Sequence, residues 1–321
     1  MLLIISLILV FSYFSPFLNP LFDAFVDYTK MIWWAILLGL FIGGLVDRFI
    51  PREYISKYLS MPKKRTVFYA TGLGFLMSVC SHGILAISIE LYKKGASIPA
   101  VISFLLAAPW ANLTITLLLF GFFGLKALFL IISAILIAII TGLIYQVLDR
   151  KCLIEKSQKV KIAEGFSIRK DLKRRMNSYS FSFASFNKDA KSVLSSSWNL
   201  ARMVLWWILI GMMFASFAKA FIPVSFFQQF LGPSIVGLVI TLMLATIIEI
   251  CSEGSSPMAF EIFRQTGAFG NSFVFLMAGV ATDYTEIGLI WSNIGKKAAL
   301  WLPIITVPQI LILGYIFNTL L

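Results

Sequence analysis

The chain has 321 residues, 59% of them hydrophobic and 13% charged, with 27 Lys and Arg against 15 Asp and Glu. Its mean hydropathy is +0.90, whereas soluble domains are roughly a quarter charged. That excludes a soluble enzyme, because one packed core cannot absorb so much apolar surface and lipid must be the solvent for most of it. The net charge of +12 falls in loops, where basic residues orient membrane proteins, so it argues against nucleic acid as a partner.

A spanning helix takes about 20 apolar residues. Stretches of that kind lie at 1–18, 31–50, 67–89, 98–121, 126–148, 203–222, 233–250, 272–291 and 297–318. They predict an all-α integral membrane protein with about eight to nine membrane segments. The opening Met1–Phe14 lacks a basic leader and an A-x-A site, so it reads as a retained helix rather than a signal peptide. Residues 1–30 are read as an N-terminal membrane helix and loop, 31–148 as a first membrane repeat and 203–321 as a second. Between the repeats, 149–202 carries thirteen Lys and Arg against five acids and reads as a basic cytoplasmic linker.

Landmarks recur on both sides of that linker. Trp33-Trp34 opens a helix ending at Pro51, and Trp206-Trp207 opens one ending at Pro223. Cys80-Ser81-His82-Gly83 follows the first proline by 29 residues; Cys251-Ser252-Glu253-Gly254 follows the second by 28. Gly95 and Gly267 come 15 and 16 residues later, and Asn112 and Asp283 another 17 and 16. Internal duplication of this kind is typical of transporter folds.

The loop 51–66 carries Arg52, Lys57, Lys63, Lys64 and Arg65, while its counterpart 223–233 has no charge. Basic short loops mark the cytoplasmic side, so the two copies are expected to be inverted. Three apolar stretches then lie between two cytoplasmic loops, and three full crossings would end on the wrong side. At least one stretch must be re-entrant or broken, with Cys80–Gly83 and Ala107–Asn112 as the expected break points. The rival arrangement is three plain helices with parallel copies.

Broken helices expose backbone polar groups at membrane depth, which is tolerated only inside protein or beside a wet cavity. A mid-bilayer charge costs roughly 3 kcal/mol or more on insertion scales. The expected substrate-binding set is therefore Cys80, Ser81, His82, Asn112, Glu249, Cys251, Ser252, Glu253 and Asp283. Glu249 and Glu253 are candidate proton or cation carriers. Cys80, His82 and Cys251 suit a soft or borderline ion such as Cu(I), Zn(II) or trivalent arsenic; buried cysteines equally serve as small hydrophobes. Asn112 and Asp283 complete a polar site or cap the next helix. Glu90, Lys93, Lys94, Glu261 and Arg264 lie near loops and are expected to be solvated.

No P-loop, HExxH or GxSxG pattern occurs in the sequence. An intramembrane protease would need a Ser/His pair, and Ser81 and His82, adjacent on a helix, point in different directions. No enzyme activity and no cofactor are expected.

The runs CSHG, KKGAS and FLLAAPWANL in the first half, and ICSEGSSP and FLMAGVATD in the second, resemble a predicted-permease family that includes trivalent organoarsenical exporters. The resemblance covers residues 31–318. It implies a prokaryotic inner-membrane permease exporting a metal or metalloid species, with Cys80 and Cys251 on the family's cysteine-motif positions. Pro109 and Asn112 fall on its Ala-Pro-x-x-Asn-like segment. The chain departs at Ile84-Leu85-Ala86, where many members have a proline, and at His82, where some carry a second cysteine.

The expected function is thus a secondary permease for a small inorganic or organometalloid substrate, with proton or cation coupling. The lipid bilayer and a second copy of the chain are the expected partners. The alternatives are a carrier for a small sulfur compound or anion, and a non-transporting membrane scaffold.

Overall fold

The computed structural model describes residues 2–49, 65–77, 81–93, 95–156, 183–248 and 252–321, and no strand occurs among them. In hydrocarbon each backbone polar group must be bonded within its own segment, which favours helices throughout. The first half holds α1 (Leu2–Phe14), α2 (Asn19–Phe49), α3 (Thr66–Phe75), α4 (Ser81–Lys93), α5 (Ile98–Ala111), α6 (Leu113–Phe123) and α7 (Ala127–Arg150). The second holds α8 (Phe183–Phe221), α9 (Val224–Phe230), α10 (Ile235–Ile248), α11 (Ser252–Thr266), α12 (Phe269–Thr282), α13 (Tyr284–Asn293) and α14 (Lys296–Leu320).

Among the described residues five runs are long and apolar enough to cross a membrane: Asn19–Ile42, Leu113–Arg150, Asp189–Phe221, Phe269–Asn293 and Lys296–Leu320. A sixth is the pair α9–α10, bent by 106°. The run Leu113–Arg150 turns at Gly124, whose φ of 56° lies in the left-handed region that glycine enters freely. The stretch 98–121 is interrupted at Asn112, inside the expected break. The stretch 67–89 holds two helices, α3 and α4, rather than one.

The helices have two distinguishable ends. At one, the Tyr145 hydroxyl donates to the Ala298 carbonyl at 2.6 Å and Tyr92 to that of Ile294 at 3.5 Å. At the other, the Lys126 ammonium donates to the Leu321 carbonyl at 3.1 Å, Phe269 stacks near Phe317, and Lys219 pairs with Asp27 at 3.0 Å. The first is the basic end, where α7 leads into the linker.

α3 runs inward from that basic end beside α5 and α7. Val67 and Ser103 press on Gly142, and Ala107 and Ala108 press on Gly74. α4 returns to the same end at Tyr92. The second half does the opposite: α10 runs inward from the far end until Thr246 meets Thr282 at 2.6 Å, and α11 runs back out.

Packing partners match between the halves. α5 packs on α3, α4 and α7; α12 packs on α10, α11 and α14. The halves are joined by α2 with α8, α5 with α12 and α7 with α14. α4 also meets α13, and α6 meets α11.

A clip closes the basic end. Glu155, just after α7, accepts from the backbone N–H of Lys297 at 2.8 Å and of Ala298 at 3.0 Å, capping α14. Gly295 makes room, since a Cβ there would sit 2.1 Å from the Glu155 carboxyl carbon. Burial pushes the Glu155 carboxyl up, but the two N–H bonds and the Lys297 charge outweigh it and hold it below its ordinary value of 4.5. A carboxyl lowered by folding stabilises the fold above its ordinary value, and that contribution disappears as the pH falls through the folded value. Glu155→Ala is expected to cost about 1 kcal/mol at pH 7. Thermal unfolding in detergent should show the gap to the parent protein shrinking as the pH drops below 4.5.

Candidate functional site

Besides α1, eight helices are only 10 to 15 residues long: α3, α4, α5 and α6 in the first half, α10, α11, α12 and α13 in the second. At 1.5 Å per residue each spans about half of a bilayer core of roughly 30 Å. Their inner ends therefore meet near half depth. Four of those ends, on α4, α6, α11 and α13, are helix N-termini, which carry free N–H groups and the positive end of the helix dipole.

Two of these starts are capped by the residues singled out in the sequence. The Asn112 side-chain oxygen accepts from the Ile115 N–H at 2.8 Å, and its amide donates to the Ala108 carbonyl at 3.0 Å. One Asp283 carboxylate oxygen accepts from the N–H of Thr285 at 2.7 Å and of Glu286 at 3.2 Å, and from the Thr285 hydroxyl at 2.7 Å. Capping is thus what both residues do. For Asp283 it does not exhaust the side chain, which also lines a cleft.

That cleft, about 230 Å3, lies between α5, α11, α12 and α13, with Trp110, Ser252, Ser255, Gly279, Asp283 and Glu286 on its wall. An apolar cleft of about 190 Å3 shares Trp110 and Leu276 with it and continues to Leu119, Phe273 and Met277. Glu253 is 2% exposed in the first turn of α11 and accepts from the Ser252 hydroxyl at 3.2 Å. The Ser256 hydroxyl donates to the Ser252 carbonyl at 2.9 Å, and Pro257 follows without an N–H to give. Glu286, 1% exposed, is a site residue that sequence reasoning missed. Its signal was the D-x-x-E spacing Asp283–Glu286 at the start of a helix, a variant of the capping box.

The structure therefore brings Ser252 and Asp283 to one cleft, with Glu253 beside Ser252. Asn112 sits two residues beyond Trp110, at the end of α5. Ser81 and His82 open α4. Cys80, Glu249 and Cys251 lie outside the described residues. Among the described residues no group of three or more His, Cys, Asp or Glu is placed to hold a metal ion.

One expectation is corrected. Glu261 is not solvated: it is 0% exposed and accepts hydrogen bonds from the Tyr28 hydroxyl and the Gln265 amide. Its nearness to the loop after α11 is overridden by α2, which covers it from the other half of the chain. Glu90, Lys93 and Arg264 are exposed, as expected, and Lys94 lies outside the described residues.

A chain whose described residues form helices and no strands, with several apolar runs of spanning length, some of them interrupted, is a multi-pass protein of the cell membrane. This one belongs to the ArsP_1 family of predicted permeases, whose model matches residues 18–319. It is 21% identical to a UPF0718 protein of Methanocaldococcus jannaschii over 97% of this chain and 99% of that one. A Streptococcus mutans protein, named as a subunit of a two-component membrane permease complex, is 22% identical over 78% of this chain and 79% of its own. The UPF0718 protein YcgR of Bacillus subtilis is 22% identical over 82% and 84%. No solved structure matches the chain. Family membership implies transport as the class of activity.

Proposed function

We propose that the chain is a secondary permease that exports a metal, metalloid or organoarsenical-type species through a half-depth site between two inverted repeats. The observation that carries this reading is the matched pair of interrupted helices, α5–α6 at Asn112 and α12–α13 at Asp283, with a polar cleft at the second interruption. Interrupted helices facing each other across a repeat interface are how secondary transporters build midplane sites. The matched packing partners support the repeat boundaries 31–148 and 203–321. Counting each interrupted or re-entrant group once gives nine membrane segments: α1, α2, α3–α4, α5–α6, α7, α8, α9–α11, α12–α13 and α14.

In this reading the basic end is cytoplasmic. The hairpin α3–α4 then opens to the cytoplasm and α9–α11 to the outside. Ser81 and His82 open one outgoing hairpin arm and Ser252 and Glu253 the other, with Cys80, Glu249 and Cys251 next to them in the sequence, so a two-fold relation would carry both sets to the same depth. Cys80, His82 and Cys251 supply soft ligands for a thiophilic centre. The adjoining polar and apolar clefts favour a substrate with an ionic or polar centre and a small organic group over a bare ion. Glu249 and Glu253 carry the coupling proton or cation. A partner subunit belongs to the proposal too, since one relative is named for a two-component complex.

Two measurements test it. Everted membrane vesicles containing the protein should accumulate a trivalent organoarsenical or a thiophilic metal under a proton gradient. No accumulation of any member of such a panel would remove the substrate class. Separately, single cysteines at Lys64 and Arg174 should stay unlabelled by an impermeant thiol reagent outside intact cells, while one at Ser225 reacts. The reverse pattern removes the inverted topology.

A further inference from the structure

Trp110 lines both clefts and stands at the inner end of α5, between Pro109 and the interruption at Asn112. It is 3% exposed. Its indole N–H is buried and has no hydrogen-bond acceptor among the described residues. A buried donor without an acceptor is costly and rare in folded chains. Tryptophan donates through that one N–H and accepts nothing. A position that needed only apolar packing would be filled by Phe or Leu at no such cost.

The two halves differ at this position. The runs Phe104–Asn112 and Phe275–Asp283, FLLAAPWAN and FLMAGVATD, match without a gap, with the same residue at the first, second and fourth places. Trp110 then falls opposite Ala281, and Ala108 opposite Gly279. α5 packs on α12, so the large side chain stands on one side of that contact and small ones on the other. Two equal walls would hold a small substrate in two equivalent poses. Exchanging Ala for Trp leaves one.

The ring also borders two unlike environments. One cleft brings the carboxyl groups of Asp283 and Glu286; the other brings Phe273 and Met277. Carboxyl oxygens accept hydrogen bonds, and the indole N–H donates one. A hydroxyl group does both at once, giving its proton to a carboxyl oxygen and taking the N–H on its own oxygen. An apolar group on the same molecule is favoured against aromatic rings and a thioether.

Given the permease reading above, on which this rests, we propose that Trp110 is a substrate-binding and selectivity residue. Its N–H holds the hydroxyl-bearing head of the substrate in the polar cleft, and its ring limits the size of the organic group admitted to the apolar one.

The test uses the full-length protein in detergent, 15N-labelled in its eight Trp side chains. It carries Cys152→Ser, because that exposed thiol binds a trivalent arsenical by itself. The probes are phenylarsine oxide, which hydrates to a dihydroxy head, and methylarsonous acid. Trp110→Phe removes one indole N–H resonance and so assigns it. Saturation with methylarsonous acid should move that resonance downfield, as an N–H gaining an acceptor does. In titration calorimetry Trp110→Phe, which keeps a ring without the N–H, should weaken both probes by the same factor, roughly tenfold. Trp110→Leu frees part of the space of the ring and should raise affinity for phenylarsine oxide relative to methylarsonous acid by about tenfold, as cavities opened in apolar cores take up benzene. A Trp110 that only packs would change the stability of the variants and leave the resonance and the ratio where they were. Binding of methylarsonous acid with none of the eight indole resonances moved overturns the proposal, and that comparison needs no variant. Equal affinities of the parent and Trp110→Phe overturn it too, as does no binding of either probe, and an unchanged ratio in Trp110→Leu overturns the selectivity role. Uptake into vesicles decides the permease reading separately: uptake with an unmoved indole removes Trp110 alone, and bound probe with a shifted indole but no uptake removes the permease reading alone.

Discussion

Glu253→Gln is expected to abolish transport, by at least about a hundredfold, while leaving the amount and the melting temperature of the protein close to those of the parent. The substitution keeps volume, shape and one acceptor for the Ser252 hydroxyl, which lies 3.2 Å away. What it removes is the charge. An ionisable group at membrane depth costs roughly 3 kcal/mol or more on insertion scales and persists where it binds something or moves protons. Glu253 is 2% exposed, in the first turn of a helix that starts beside a polar cleft. Removing the cost of burying that charge should leave stability unchanged or slightly raised, whereas a purely structural carboxylate would lose stability without a specific loss of transport. Uptake into everted vesicles, normalised to protein amount and set against thermal unfolding, separates the two. Full uptake by Glu253→Gln would take the residue out of the mechanism.

The interruptions were readable because their causes are local. Pro109 lacks an N–H, and Asn112 three residues on has the side chain that caps a new helix, so Ala107–Asn112 announces a break without reference to the rest of the chain. Whether Asn112 and Asp283 cap or bind was not readable. Both roles ask for the same oxygen, and only the positions of the Ile115, Thr285 and Glu286 N–H groups assign the cap.

Glu261 shows where local reasoning stops. Six residues before the turn at Gly267, it has the sequence surroundings of a solvated loop-end acid. Its burial is decided by Tyr28, 233 residues away in the chain. The same distance hid Glu286: its D-x-x-E spacing was present, but a cleft wall needs Trp110 and Ser252 from two other helices. Helix existence follows from composition and break points from residue type, while the partners across the fold follow from neither.

Gly211→Ala is expected to be among the most destabilising single-methyl changes in the chain. A Cβ at Gly211 of α8 would lie 1.9 Å from the Gly254 carbonyl oxygen of α11 and 2.7 Å from its carbon. Both obstacles are backbone, so no side chain can turn aside, and the helices must part by about 1.5 Å to restore ordinary van der Waals contact. Close backbone approach through small residues is a main source of helix association in lipid, where burial of apolar surface drives little. Overpacking costs about 1–3 kcal/mol where side chains relieve it, and here the cost should reach or exceed the top of that range. α8 packs along α11, so the displacement also moves Glu253, one residue from the contact. Gly288→Ala is the matched control: its Cβ would meet nothing within 4 Å. Replacing a helical glycine with alanine there should be neutral or stabilising by up to about 1 kcal/mol. Thermal unfolding of the two variants in the same detergent should therefore shift in opposite directions, or at least differ by several degrees. A Gly211→Ala protein as stable as Gly288→Ala would mean that α8 and α11 are not in backbone contact.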